Sequence, residues 1–240
     1  MYISNGRPGH RVRSALLVIL SLGFVFAAAK ADVSTLQFAE ILDMEPSFEN
    51  GREIFAQCTR CHGTEGWGAY SGDYPQIAGQ HNSVLIKQLI DIQSGERDNP
   101  VMLPAVNALM DQGPQALADV AAYTAALMMN PDPDVGEFDD SELVQEAEIY
   151  GNICSGCHGQ AGQGDARNIV PLLQGQNYTY LLRQLKRIQA GTRKNANPEM
   201  RKLIGDFSLQ QLDKMATYLS RLEPPETRLA PYGWVNPDFQ

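Results

Sequence analysis

The chain has 240 residues, of which 43% are hydrophobic and 20% charged, with 21 glycines and 14 prolines. That is the composition of a globular protein and excludes a disordered or fibrous one; the length is enough for one to two domains that bury real cores without disulfide staples. Nineteen basic against 28 acidic side chains give a formal charge of −9, the wrong sign for a surface that binds nucleic-acid phosphates.

The chain opens with Arg7, His10, Arg11 and Arg13 ahead of an apolar run from Ser14 to Ala29, and then Ala29-Lys30-Ala31. A basic segment, a short apolar segment and a small-x-small site together predict a secretory signal peptide over 1–31, cleaved after Ala31, which directs the protein to the periplasm. The alternative is an uncleaved membrane anchor, for which the run is short of the roughly 20 apolar residues a spanning helix needs. Cleavage removes four basic and no acidic residues and takes the charge from −9 to −13.

The rest of the chain is a duplication. C-T-R-C-H-G at Cys58 to Gly63 returns as C-S-G-C-H-G at Cys154 to Gly159, an offset of 96, and at the same offset Pro75 meets Pro171, Gly79-Gln80 meets Gly175-Gln176, Ile92-Gln93 meets Ile188-Gln189 and Gly95 meets Gly191. Val84–Gln93 and Tyr180–Gln189 both space their apolar residues at i, i+3 and i+4. Each unit then ends in a helical stripe, Leu117, Val120, Ala121 and Thr124 in the first and Leu212, Met215, Ala216 and Leu219 in the second. With no sustained period-two alternation in either unit, both are expected to be all-α. The expected layout is a first domain over 32–129, a linker over 130–140 where Pro131, Pro133, Gly136 and a run of acids stop a helix, a second domain over 141–223, and a C-terminal extension over 224–240.

C-x-x-C-H is the attachment signature of c-type haem: Cys58 and Cys61, and again Cys154 and Cys157, stand one helical turn apart to reach two vinyl groups, while His62 and His158 offer imidazole to the iron. A dithiol redox site would need a βαβ setting, and a zinc site would need to share the two C-x-x-C pairs, whereas each unit carries its own complete set. His10 lies in the leader, and His81 is Asn177 in the second unit, so His81 is read as a surface or capping residue.

For the opposite face of the iron, a methionine thioether is the ligand that raises the reduction potential. Met102 in Asn99-Pro100-Val101-Met102 and Met200 in Asn197-Pro198-Glu199-Met200 share their context, whereas Met215 falls in the apolar stripe of the last helix, and Met128 and Met129 follow its counterpart. Met110 is the reserve in the first unit.

On these motifs the chain, over about residues 46–223, resembles the dihaem cytochromes c of the c4 type, two class I cytochrome c domains in tandem. The resemblance implies two covalently bound haems c, axial pairs His62 with Met102 and His158 with Met200, and Pro75 and Pro171 as carbonyls that receive the other ring nitrogen of each histidine. It also implies that the first and last helices of each domain cross through a small residue and an aromatic. Gly51 and Phe55 fit in the first domain, but in the second Ala147 takes the small position and Tyr150 stands four residues before its cysteine, where Phe55 stands three before Cys58.

Two features fall outside the resemblance. The tail from Pro224 to Gln240 carries four prolines with Tyr232, Trp234 and Phe239; it is expected either to lie on its own, second domain or to dock on a partner protein. Charge is also lopsided, with 4 basic and 18 acidic residues from Asp32 to Asp140 against 11 and 10 from Ser141 to Gln240. Arg183, Lys186, Arg187, Arg193, Lys194, Arg201 and Lys202 predict a basic face around Met200 that steers a redox partner. The function expected is electron transfer between respiratory partners such as a dehydrogenase, a quinol–cytochrome c reductase or a membrane oxidase, with no catalytic residue of its own. The alternative is a haem subunit of a larger oxidoreductase, or a dihaem enzyme with one open iron.

Overall fold

The computed structural model describes residues 1–2, 33–69 and 71–240, with side chains from residue 37 onward in the first helix. The expected leader thus lies outside the described residues, Met1 and Tyr2 apart. Asp32–Gln240 forms one compact unit, helical throughout, in which the only β pairings among the described residues are two isolated bridges. Among those residues no helix is long and apolar enough to cross a membrane.

The first repeat begins with a helix the sequence reading did not foresee, α1 (Val33–Leu42), which packs on α4 (Asn82–Ser94) and α6 (Pro114–Ala126). Between them run α2 (Phe48–Phe55), the single turn α3 (Thr59–His62) and α5 (Leu103–Met110). Proline opens α6 at a position that has no backbone partner to lose. Phe55, Ile86, Ile90, Leu117 and Ala121 are buried together where α2, α4 and α6 meet. Gly51 is what allows α2 to lie against α6, since a Cβ there would stand 2.3 Å from the Asp119 carbonyl oxygen and 2.8 Å from Tyr123 Cβ.

Asp119 ties the start of α2 to α6. Its carboxylate accepts from the Ser47 backbone N–H at 2.8 Å, from Asn50 Nδ2 at 2.6 Å and from Gln115 Nε2 at 2.8 Å. Burial on its own pushes the carboxyl up, but the three donors outweigh it and hold the group below the usual carboxylate range. A depressed folded-state value stabilises the protein above the unfolded value of about 3.9 and is lost as pH falls through the folded value. Asp119→Asn is therefore expected to cost about 1.5 kcal/mol at neutral pH. Thermal melts should show the difference from the unaltered protein shrinking below about pH 4; a pH-independent difference would refute the assignment.

The second repeat consists of α7 (Val144–Ile149), α8 (Ser155–His158), α9 (Tyr178–Gln189), α10 (Pro198–Leu203) and α11 (Leu209–Ser220), with Tyr150, Leu185, Leu212, Met215 and Ala216 at its core. The one-residue offset of Tyr150 is absorbed by a π-helical turn over Tyr150–Cys154 between α7 and α8. A π turn spends one extra residue without breaking the helix. Tyr150 and Tyr218 thus pair at 5.4 Å and 46°, close to the 5.3 Å and 52° of Phe55 and Tyr123, so the helix contact is kept in both repeats.

The tail soon leaves its own repeat: Pro224 is buried beside Gly175, and from Arg228 onward the chain straps the first repeat. Leu229 bridges Met129 in parallel, Met129 N–H donates to the Arg228 carbonyl at 2.8 Å, and the Arg228 guanidinium donates to the Gly79 carbonyl. Trp234 then meets Trp67 at 5.9 Å, Asn236 Nδ2 donates to the Thr64 carbonyl at 2.8 Å, Tyr123 donates its hydroxyl proton to Asp238 at 2.7 Å, and Phe239 meets Phe55 at 5.9 Å. With the tail in place Phe55 is 0% exposed, and Phe239 and Trp67 both pack against the first core, so the tail's rings add apolar cover there. Tyr232 alone of the tail aromatics is fully exposed.

The basic cluster of the second repeat is also divided by the fold. Arg183 and Arg187 reach across to Asp73 and Asp98 of the first repeat, at 3.7 and 3.9 Å, and Arg193 donates to Gln88, Gln184 and Asn195. Lys186, Lys194, Arg201 and Lys202 stay exposed as the basic face.

Candidate functional site

In both repeats a single helical turn follows the first cysteine and ends on the histidine. His62 N–H donates to the Cys58 carbonyl at 3.0 Å and Cys61 N–H to the same oxygen at 3.2 Å, and Gly63 at φ 76° stops the turn. Ser155–His158 repeats the geometry and Gly159 stops it at φ 79°. This puts the two thiols of each motif on successive turns beside the imidazole, the arrangement that the spacing predicts.

The ring nitrogens are assigned by their partners. His62 Nδ1 lies 3.0 Å from the Pro75 carbonyl oxygen, and His158 Nδ1 lies 3.1 Å from that of Pro171. A carbonyl only accepts, so each Nδ1 carries the proton and each Nε2 keeps its lone pair for a metal. His62 is 6% exposed and His158 9%. Burial pushes both below the usual imidazole value and Arg97 lowers His62 further, while the proline carbonyls act the other way; the net result favours the neutral, ligating form.

Cys58, Cys61, Cys154 and Cys157 form no disulfide with one another, so both pairs are available for thioether bonds. Burial, with Cys61 adding to it, pushes the Cys58 thiol up to about 11, and burial with Cys157 beside it raises Cys154. A pair of cysteines one turn apart can bond two vinyl groups, whereas a thiolate metal cage needs further ligands. Among the described residues no three His, Cys, Asp or Glu side chains converge as such a cage.

The Asn-Pro-x-Met tetrapeptides have a common structural cause. Met102 N–H donates to Asn99 Oδ1 at 3.3 Å, and Met200 N–H to Asn197 Oδ1 at 3.4 Å. In each case the asparagine side chain caps the turn that carries the methionine. Met102 and Met200 are both half-buried. Met129 is fully buried and Met215 is 2% exposed in the second core, where they fill space, while Met110 is partly buried against the first core as Met200 is against the second.

A third group joins Arg183 and Arg193, expected on the basic face, to Arg97 and Tyr180, which the sequence reading did not single out. Arg97 Nη2 donates to the Tyr180 hydroxyl at 2.7 Å across the two repeats. Burial raises Tyr180, but Arg97, Arg193 and Arg183 more than reverse it. Burial and the neighbouring Arg97 bring Arg193 down to about 10, and Arg183 Nε is buried without a partner. Three guanidiniums surround one phenol, opposed by Asp73 and Asp91, and the buried Arg183 Nε is left with a hydrogen bond to give, which a carboxylate of a bound group would satisfy.

Comparison with known proteins agrees with this geometry. The cytochrome c family profile matches residues 48–127 and 147–223. The chain belongs to the cytochrome c family, as a dihaem cytochrome of the c4 type. It is 32% identical to cytochrome c4 of Pseudomonas aeruginosa over 72% of its own length and 87% of that protein's. It is also 32% identical to a thiosulfate dehydrogenase electron acceptor of Stutzerimonas stutzeri, over 79% of its length and 94% of that protein's. The solved structure of reduced recombinant cytochrome c4 from Pseudomonas stutzeri superposes with a TM-score of 0.62 at 27% identity, covering 75% of this chain and all of that one. A thiosulfate dehydrogenase of Marichromatium purpuratum gives 0.64 at 26% identity, covering 78% of this chain and 45% of that one. The dihaem cytochrome is thus an electron carrier rather than an enzyme. Its cysteine pairs Cys58–Cys61 and Cys154–Cys157 fit the attachment of two haems c.

Proposed function

We propose that this cytochrome is an exported, periplasmic electron relay with one histidine–methionine haem in each of two domains, 32–129 and 141–223, joined by the 130–140 segment. In this reading Cys58 and Cys61 hold the first haem and His62 and Met102 ligate its iron; Cys154, Cys157, His158 and Met200 do the same for the second. Haem iron so ligated supplies a one-electron couple between Fe(II) and Fe(III). The residues of the chain keep the ligand geometry fixed while that couple turns over: Pro75 and Pro171 lock the imidazole orientation, and Asn99 and Asn197 lock the turns bearing the methionines. Arg97, Arg183 and Arg193 are proposed to receive haem carboxylates at the junction of the repeats. The observation that carries the reading is the histidine–proline contact, repeated within 0.1 Å in the two halves of one compact unit.

The partners proposed are a dehydrogenase that gives electrons and a membrane oxidase that takes them, with a quinol–cytochrome c reductase as another donor. A relative named as the electron acceptor of thiosulfate dehydrogenase favours a donor of that class. The exposed Lys186, Lys194, Arg201 and Lys202 suit docking by an acidic surface. The second reading, a haem subunit held within a larger oxidoreductase, is favoured by the likeness to part of a thiosulfate dehydrogenase chain. Membrane association would depend on the N-terminal segment.

Carbon monoxide added to the dithionite-reduced protein tests the ligand assignment. Two closed iron sites predict an unchanged visible spectrum. A shift in about half of the haem would remove one methionine from the assignment and support an open iron.

A further inference from the structure

The two repeats exchange one glutamine each. Gln176 of the second repeat clasps the backbone of Gln76 in the first: its Oε1 accepts from Gln76 N–H at 3.0 Å and its Nε2 donates to the Gln76 carbonyl at 2.8 Å. Gln80 of the first repeat clasps Leu172 of the second in the same way, accepting from Leu172 N–H at 3.0 Å and donating to the Leu172 carbonyl at 3.0 Å. Each Oε1 also accepts the backbone N–H of the residue that follows it, His81 at 3.0 Å and Asn177 at 3.1 Å. All these positions are related by the offset of 96, so the contact is a pseudo-twofold one, and Gln76, Leu172 and Gln176 are buried at 4%, 5% and 7% exposure.

What the clasps touch gives them a role beyond adhesion. Gln76 and Leu172 directly follow Pro75 and Pro171. The peptide group whose carbonyl receives His62 Nδ1 is therefore the same group whose N–H is bound by Gln176. His158, the Pro171–Leu172 peptide and Gln80 form the matching chain. A peptide that donates through its N–H becomes a stronger acceptor at its carbonyl, because the two bonds polarise the same resonance-coupled unit. A stronger acceptor holds the Nδ1 proton more firmly, makes the imidazole a more basic ligand and favours the ferric iron.

We propose that Gln176 and Gln80 are crossed positioning residues, each setting the hydrogen bond, and through it the reduction potential, of the histidine in the opposite repeat. The proposal rests on His62 and His158 being iron ligands, and the test separates the two questions.

The experiment compares the haem-loaded protein with Gln176→Met and Gln80→Met, which keep side-chain length and remove the amide. Each haem's potential is read by redox titration followed by proton NMR, together with solvent exchange of each imidazole Nδ1 proton. Met102→His and Met200→His assign the signals, since each alters one haem. Gln176→Met is expected to raise the potential of the His62 haem, shifting its reduction equilibrium by up to roughly tenfold, or 59 mV for one electron. It should also speed Nδ1 proton exchange at His62 and leave the His158 haem nearly unmoved. Gln80→Met should do the reverse, and because Gln80 is only half-buried it serves if Gln176→Met does not fold. A change confined to the haem of the altered residue's own repeat, an equal change in both, or no change overturns the proposal. If the unaltered protein shows no haem-shifted imidazole signals for His62 and His158, it is the ligand assignment that fails, whatever the glutamine variants do.

Discussion

Deleting residues 231–240 is expected to lower the thermal midpoint of the first repeat by roughly 10 °C and to leave the second repeat nearly unchanged, although the deleted residues follow the second repeat in sequence. The deletion strips Trp234 from Trp67 and Phe239 from Phe55, two aromatic pairs at 5.9 Å. It leaves Tyr123, whose hydroxyl burial pushes up to about 12, without Asp238 and Asn236. Each ring pair contributes about 0.5–1.5 kcal/mol beyond the apolar area it covers. With the half-buried rings counted, and the cost of ordering the tail set against them, the net loss is about 2–3 kcal/mol. At about 4–8 °C per kcal/mol for a domain of this size the change is readily measured by calorimetry. Phe239→Ala alone should produce the larger part of it. An unchanged midpoint would mean that the strap rests on the first repeat without stabilising it. Tyr232, which is fully exposed, should be neutral for stability, and this separates the strap from any partner contact the tail makes.

The strap also marks where sequence reasoning runs out. The motifs carried their own addresses: C-x-x-C-H fixes one helical turn, the paired Asn-Pro-x-Met segments are capped alike, and Gly51 sits where the helices nearly touch. Each is a local rule that a chain obeys wherever it lies. Trp234 and Phe239 are legible as apolar residues needing cover, but composition does not say which surface is short of it. That depends on where Trp67 and Phe55 come to lie once the first repeat has folded. The offset of Tyr150 could be counted in the sequence, whereas its absorption in a π turn is decided by the packing against Tyr218. Arg183, Arg187 and Arg193 looked like a surface cluster because they are close in sequence, yet their partners Asp73, Asp98 and Gln88 lie about a hundred positions away. The helix α1 precedes the first motif and has no counterpart in the second repeat, so the duplication gave no hint of it. The matched Gly-Gln pairs were visible as a repeat, but their exchange across the pseudo-twofold axis exists only in three dimensions.

Met200→Ala is expected to open the iron of the second repeat while leaving the fold intact. Met200 is half-buried at the start of a short helix whose cap is made by Asn197, and it packs on the rim of the second core rather than within it. It would remove the thioether that favours the ferrous state, so the potential of that haem should fall, shifting its reduction equilibrium by well over the tenfold that 59 mV represents. The dithionite-reduced variant should then bind carbon monoxide at about half of its haem, where the unaltered protein binds none. Met215→Leu is the matched control: Met215 is 2% exposed beside Leu212 and Ala216, and a swap of similar volume costs less than about 1.5 kcal/mol and opens nothing. The same contrast distinguishes Met102 from Met110 in the first repeat, where Met110 packs against the core and Met102 stands at the capped turn. Carbon monoxide binding in Met110→Leu and not in Met102→Ala would exchange their roles. Binding in neither Met102→Ala nor Met200→Ala would mean that the sixth ligand of both irons is a different side chain.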